Sequence, residues 1–210
     1  MTMIAPGVYS DDEDKPFEVE SGYYLDFQII CALFSIENIL NRTICNLGLL
    51  KNKYQYYHYY CDHLIFSIGQ IANRFDVKDS DAGLILERKN ANIRNFDFSK
   101  TKYPILSDKK IRNTIEHIDE HNQKIIKKHC GVGGFNLIDT DTDADVVTAL
   151  TTNKKIHPYT LDLLKRTLLI MRNDSELTLN LEDLRNELLA LQESVRSLLG
   201  FVTDEFWREI

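Results

Sequence analysis

The residue types best able to do chemistry gather in one stretch, Asp108 to His129, where polar and charged side chains alternate with isoleucines. An imidazole exchanges protons near neutral pH, and a guanidinium is always charged and fits the oxygens of phosphate or carboxylate. At about 100° per residue, Ile111, Ile115, Ile118, Ile125 and Ile126 fall within an arc of about 100°, which marks a face to be buried. Opposite lie Arg112, Asn113, Glu116, His117, Glu120 and Lys124. Asn113 and His117 are neighbours one turn apart, whereas Arg112 and His117 are separated by about 140° around the wheel. One helix therefore does not focus arginine and histidine on a single small group of atoms. Two copies facing each other across a two-fold axis would bring both residue types into a shared cleft. The plainer reading is a solvated helix face, with Arg112 and Glu116 forming an ordinary ion pair worth a few tenths of about 1 kcal/mol.

The order of arginine, a polar residue, three further residues and histidine stands here as Arg112-Asn113-Thr114-Ile115-Glu116-His117. It resembles the signature of the HEPN superfamily, helical domains that cleave RNA or bind nucleotides. The likeness covers this segment and its place late in a helical bundle, and it leaves residues 131–210 outside. It implies metal-independent endoribonuclease activity in a homodimer, with a composite site of Arg112, His117 and Asn113. Arg112 would steady the charge that develops on phosphorus, His117 would act as acid or base, and Asn113 would position the substrate by hydrogen bonding. No cofactor is implied. Glu116 and Asp119 place negative charge beside a site meant for phosphate. The resemblance also implies a setting in bacterial defence or in a toxin-antitoxin pair, with an antitoxin as partner. The alternative is a non-catalytic helical module of the same fold that binds a nucleotide, RNA or a protein.

Other constellations do not reach the same specificity. His117 and His121 share a face, with His129 and Cys130 beyond, but the order expected of a helical zinc site is absent and no metal is expected. Asp139, Asp141, Asp143 and Asp145 alternate like the start of a calcium loop, yet Ala144 stands where glycine is needed and Leu150 where glutamate is. Gly131-Val132-Gly133-Gly134 follows a helix and reads as its stop. Tyr54, Tyr56, Tyr57, Tyr59 and Tyr60 surround His58; such a cluster can stack bases, and packing or a dimer surface is the favoured reading.

The elements that must carry these residues follow from hydrophobic periodicity. A long helix is expected from Asp26 to Leu49, a second from Tyr54 to Phe75, and a shorter third from Ala82 to Asn95. Phe96-Asp97-Phe98 reads as extended. Ser107 is the expected N-cap of the helix that carries the polar signature and runs to Cys130. Residues 1–20, with Asp11-Asp12-Glu13-Asp14 between two prolines, read as a flexible acidic tail. Residues 131–210 read as a small α+β extension: a loop at Asp139 to Asp145, a turn at His157-Pro158, a hairpin at Thr167 to Leu181 turning at Asn173-Asp174-Ser175, and a helix from Glu182 to Leu199 with Leu184, Leu188, Leu191, Val195 and Leu198 on one side. The expected fold is thus mainly α, a helical bundle over residues 21–130 with that extension.

Composition narrows the surroundings. With 25 basic against 32 acidic residues and a net charge of −7, no broad basic surface is available, so contact with nucleic acid must be local. Cys31, Cys45, Cys61 and Cys130 form no close pair, and no cleavable leader is visible at the start, so reduced thiols and a cytoplasmic location are expected. The longest apolar stretch, Phe27 to Ile36, is about half of what a bilayer span needs, and no membrane crossing is expected.

Overall fold

In the computed structural model the described residues are 2–5, 8–10, 16–41, 53–116, 135–145, 159–172 and 175–200. The architecture is mainly α-helical, with a small four-stranded sheet in the C-terminal region. Two short strands, β1 (Thr2–Ala5) and β2 (Val8–Ser10), pair antiparallel at the N-terminus. Four helices follow: α1 (Pro16–Leu40), α2 (Lys53–Asn73), α3 (Gly83–Asn95) and α4 (Lys109–Glu116). The sheet comprises β3 (Phe135–Ile138), β4 (Tyr159–Asp162), β5 (Thr167–Arg172) and β6 (Ser175–Asn180), and helix α5 (Leu181–Leu198) ends the described chain. Residues 1–20, read from sequence as a tail without regular structure, thus hold β1, β2 and the first turn of α1. Proline at the first position of α1 suits a helix start, because its missing N–H is not needed there.

Helix α1 is the centre of the bundle. Leu25, Ile29, Ala32, Ile36 and Ile39 repeat every three or four residues and are buried. The hydrogen bond from the Tyr56 hydroxyl to Asn38 Oδ1 (3.1 Å) joins the end of α1 to the start of α2, and the Arg74 guanidinium lies 4.5 Å from the Tyr24 ring near the opposite ends. The two helices therefore run antiparallel. Helix α5 also runs antiparallel to α1, fastened by ion pairs of Asp26 with Arg196 (3.1 Å) and of Glu37 with Arg185. Asp26 is only 5% exposed, so the arginine partner is what makes its charge tolerable there. By length and composition alone, the 19-residue stretch Gly22–Leu40 could cross a bilayer, which is longer than the apolar run read from sequence. In this fold it is a core helix, packed between α2 and α5.

Sheet order is β3-β4-β5-β6, with β3 and β4 parallel and the other pairs antiparallel. The expected hairpin is β5 and β6, and the register Arg172 opposite Ser175 leaves a two-residue loop at Asn173-Asp174, outside the described residues. Leu168 and Ile170 alternate inward with Leu161 and Leu179 beside them, joining the same core as the helices. The sheet meets α2 where the Phe135 ring stacks on His58 at 5.2 Å and Lys53 pairs with Asp139. The strands β3 and β4 were not foreseen: each is four residues long, and their pairing joins segments distant in sequence.

Helix α5 begins where Asn180 Oδ1 accepts from the N–H groups of Glu182 (2.9 Å) and Asp183 (3.1 Å), an N-cap one residue before the helix. Leu184, Leu188, Leu191 and Val195 are buried as the periodicity demands, whereas Leu198, expected with them, is half exposed. The surprise is Glu187, a carboxylate on that apolar stripe. Its Oε1 accepts from Ile105 N–H (2.8 Å) and its Oε2 from Leu106 N–H (2.9 Å), which ties the α3–α4 connection to α5. Burial pushes this carboxyl up, opposed by those two N–H groups, while the neighbouring Asp183 adds to the rise.

Two local expectations change. Asp97 adopts a left-handed backbone (φ 49°), and Phe98 N–H donates to the Ile93 carbonyl (2.9 Å), so Phe96-Asp97-Phe98 is the closing turn of α3. Aspartate tolerates that conformation better than most residues do. The Asp139 to Asp145 stretch, expected as a loop, holds a helical turn at residues 141–145. There Thr140 Oγ1 accepts from Asp143 N–H (3.2 Å) and Asp143 Oδ2 accepts from Thr140 N–H (3.1 Å), the reciprocal bonding of a capped helix start. The Thr140 hydroxyl, with the N–H groups of Asp139 and Thr140, holds the Asp143 carboxyl below its usual range.

Candidate functional site

The segment carrying Arg112 and Asn113 is helix α4. Its start is set by Asp108, whose Oδ1 accepts from Lys110 N–H (2.8 Å). Ser107, expected as the cap, does not perform that role; its hydroxyl oxygen is enclosed and has no hydrogen-bond partner. The difference is one residue, and both side chains are of the capping type.

Helix α4 packs on α2 through Ile111, Thr114 and Ile115, all buried. Thr114 is fully enclosed, and its hydroxyl is satisfied by donating to the Lys110 carbonyl one turn back (2.7 Å). The two helices meet closely at Gly69, where an added Cβ would stand 2.9 Å from Ile115 Cγ2. A glycine inside a helix is the sequence signal for such a contact. The effect is to fix the rotation of α4. Ile115 is turned to α2, and Asn113, 160° from it around the helix by the about 100° step, stays half exposed on the other side.

Of the three residues of the signature, Asn113 is placed with its surroundings. Arg112 lies on α4, but its side chain falls outside the described residues, as does the whole of His117. The expected continuation of the helix to Cys130, the histidine pair His117 and His121, the glycines from 131 to 134, and His157-Pro158 also lie outside them. The described imidazoles are His58 and His63, both on α2. His58 stands 3.4 Å from Asp62, whose carboxyl is raised by burial against the opposing pull of His58 and His63. Among the described residues no group of three or more histidine, cysteine, aspartate or glutamate side chains is arranged to hold a metal ion.

The tyrosine cluster divides cleanly. Tyr56, Tyr57 and Tyr60 are buried against one another edge to face, with ring centres 5.4 Å and 4.8 Å apart for Tyr56 with Tyr57 and Tyr60. Tyr54 and Tyr59 are about half exposed. Three of the five rings are therefore core, which leaves no continuous stacking platform for bases.

No protein-family model, curated protein or solved structure matches this chain. The functional reading consequently rests on the residues themselves.

Proposed function

We propose that this chain is an HEPN-like, metal-independent endoribonuclease that acts as a homodimer, with Arg112, Asn113 and His117 contributed to a composite site. The observation that supports it is the rotation of α4: its apolar residues are turned to α2, and Asn113 remains accessible on the opposite side. Asn113, half exposed on that side, is where the reading places a ligand or a second copy.

In this reading His117 removes the proton of a ribose 2′-hydroxyl, and the freed 2′-oxygen attacks the adjacent phosphorus. The bond from phosphorus to the 5′-oxygen breaks, and that oxygen leaves with a proton from the imidazolium of the same or the opposing protomer. The products are a 2′,3′-cyclic phosphate and a 5′-hydroxyl, and no water is consumed. Arg112 stabilises the negative charge that builds on the phosphoryl oxygens, and Asn113 orients the group by hydrogen bonding. The need for two protomers follows from the sequence spacing: a helix continued through His117 would separate it from Arg112 by about 140° within one copy. The setting we assign is cytoplasmic, in bacterial defence or a toxin-antitoxin pair with an antitoxin partner.

The test is incubation of the full chain with mixed RNA in the presence of EDTA. Cleavage is expected, and Arg112→Ala and His117→Ala should each abolish it while circular dichroism and dimer mass stay unchanged. Cleavage that persists in both variants overturns the proposal. Binding of RNA or nucleotide without cleavage by the unmodified chain would instead favour the non-catalytic module.

A further inference from the structure

A cavity of about 300 Å³ opens between the end of α2 and the side of α3. Gln70, Asn73 and Arg74 line it from the α2 side, and Arg88, Lys89 and Asn92 from α3. Three cationic side chains and three amides thus share one space in a chain whose net charge is −7, and no carboxylate is among the described residues that line it.

The frame around the cavity is held in place. The Arg74 guanidinium lies on the Tyr24 ring, and Asn92 Nδ2 donates to the Arg74 carbonyl (3.1 Å), which joins α3 to the end of α2. Lys89 Nζ reaches Asp81 Oδ2 at 2.8 Å, so this ammonium already has a carboxylate partner. The backbone N–H of Lys78 and the Lys89 ammonium hold the Asp81 carboxyl below its usual range. Helix α3 has no fully buried residue, so what orients it is this polar contact with α2 as much as apolar packing.

We propose that this cleft binds a phosphate group, with the phosphodiester backbone of RNA as its source. Arginine presents a planar fork of donors that matches two phosphate oxygens, and the amides of Gln70, Asn73 and Asn92 supply neutral donors around it. Basic residues gathered at one place on a chain that is acidic overall suit the local phosphate contact that RNA would make here. Gln70, which lines the cleft, follows in sequence Gly69, where α2 meets Ile115 of α4. The choice of RNA rests on the ribonuclease reading, whereas the phosphate chemistry does not.

The experiment is fluorescence anisotropy of a labelled 2′-O-methyl oligoribonucleotide, which lacks the 2′-hydroxyl and is not cut, titrated with the full chain in EDTA. Arg88→Gln should weaken binding by about tenfold and lower the salt slope by about one. Asn73→Asp, at an exposed position, should weaken it by a similar factor by placing a carboxylate in the cleft, and it carries the test if Arg88→Gln disturbs folding. Displacement of the oligonucleotide by inorganic pyrophosphate would assign free phosphate compounds as an additional source, and failure to displace assigns the strand alone. Affinity unchanged in both variants, or no binding by the unmodified chain, overturns the proposal. Cleavage of RNA with unchanged affinity in these variants removes the cleft and leaves the ribonuclease reading standing. Loss of binding in the variants of a chain that never cleaves RNA does the reverse.

Discussion

The two sides of α2 are built differently. Toward α1, and beyond it α5, the seams are apolar and closed, with Ile29, Ile36, Leu64, Ile68, Leu184 and Leu188 fully enclosed and the buried carboxylates Asp26 and Glu187 each met by a partner. Toward α3, no residue of the neighbouring helix is fully buried, Leu84 and Ile85 are mostly exposed, and the contact is lined by cations and amides. The first arrangement stabilises a fold through desolvation and dense contacts. The second lines an open cleft with cations and amides beside a firm scaffold, which is how rigid elements present binding groups. Helix α4 stands between these cases: Ile111 and Ile115 are buried on the side toward α2, and Asn113 is half exposed on the other.

This contrast can be broken by mutation. The largest effect is expected at the closed seam, where Leu188→Ala should cost about 2–5 kcal/mol in urea unfolding, because the cavity it leaves in α5 cannot collapse between packed helices. A cost below about 1 kcal/mol would mean that α5 is not the tightly packed partner seen here.

A smaller loss, about 1–3 kcal/mol, is expected for Glu187→Ala, which leaves the N–H groups of Ile105 and Leu106 without their acceptor. The same residue gives a pH signature. Its folded carboxyl is raised above the ordinary value of 4.5, so the folded state holds the proton more tightly than the unfolded chain. Its contribution is therefore full at pH below that ordinary value and is lost as pH rises through the raised folded value. Asp81 and Asp143, held below 3.8, act in the opposite sense as pH falls. Unfolding free energies measured across pH 4 to 7, roughly the window in which raised carboxyls titrate, should show a decline that Glu187→Gln flattens. An unchanged slope would contradict this assignment.

The smallest effect is expected on the open side. Leu84→Ser should change stability by no more than about 0.5 kcal/mol, since the side chain is 68% exposed. A loss several times larger would show that α3 packs more firmly than its exposure indicates and would remove the contrast.

Much of the helical frame is legible in the chain because it depends on local periodicity. The spacing of Leu64, Ile68 and Ile71, and of Leu184, Leu188 and Leu191, marks α2 and α5 almost to their ends. The β5–β6 hairpin is legible for the same reason, as two apolar runs flank a short polar turn. What the local pattern does not contain is pairing across the chain. Strand β3 finds β4 across more than twenty residues, Glu187 meets Ile105 across 82, and Arg74, just past the end of α2, lines one cavity with Arg88 of α3. Glu187 did leave a trace, a charge on an otherwise apolar stripe, and Gly69 left another as the lone small residue at a helix crossing. The polar signature on α4 was visible as residue types and spacing, while the buried positions of Ile111, Thr114 and Ile115 supplied the rotation that spacing alone leaves open.

The measurement that bears most directly on the proposed activity is end-group analysis of RNA fragments made by the full chain in EDTA. The expected result is a 2′,3′-cyclic phosphate on each upstream fragment from the unmodified protein, and no fragments from folded, dimeric His117→Ala. Fragments of the same kind and yield from His117→Ala would contradict it.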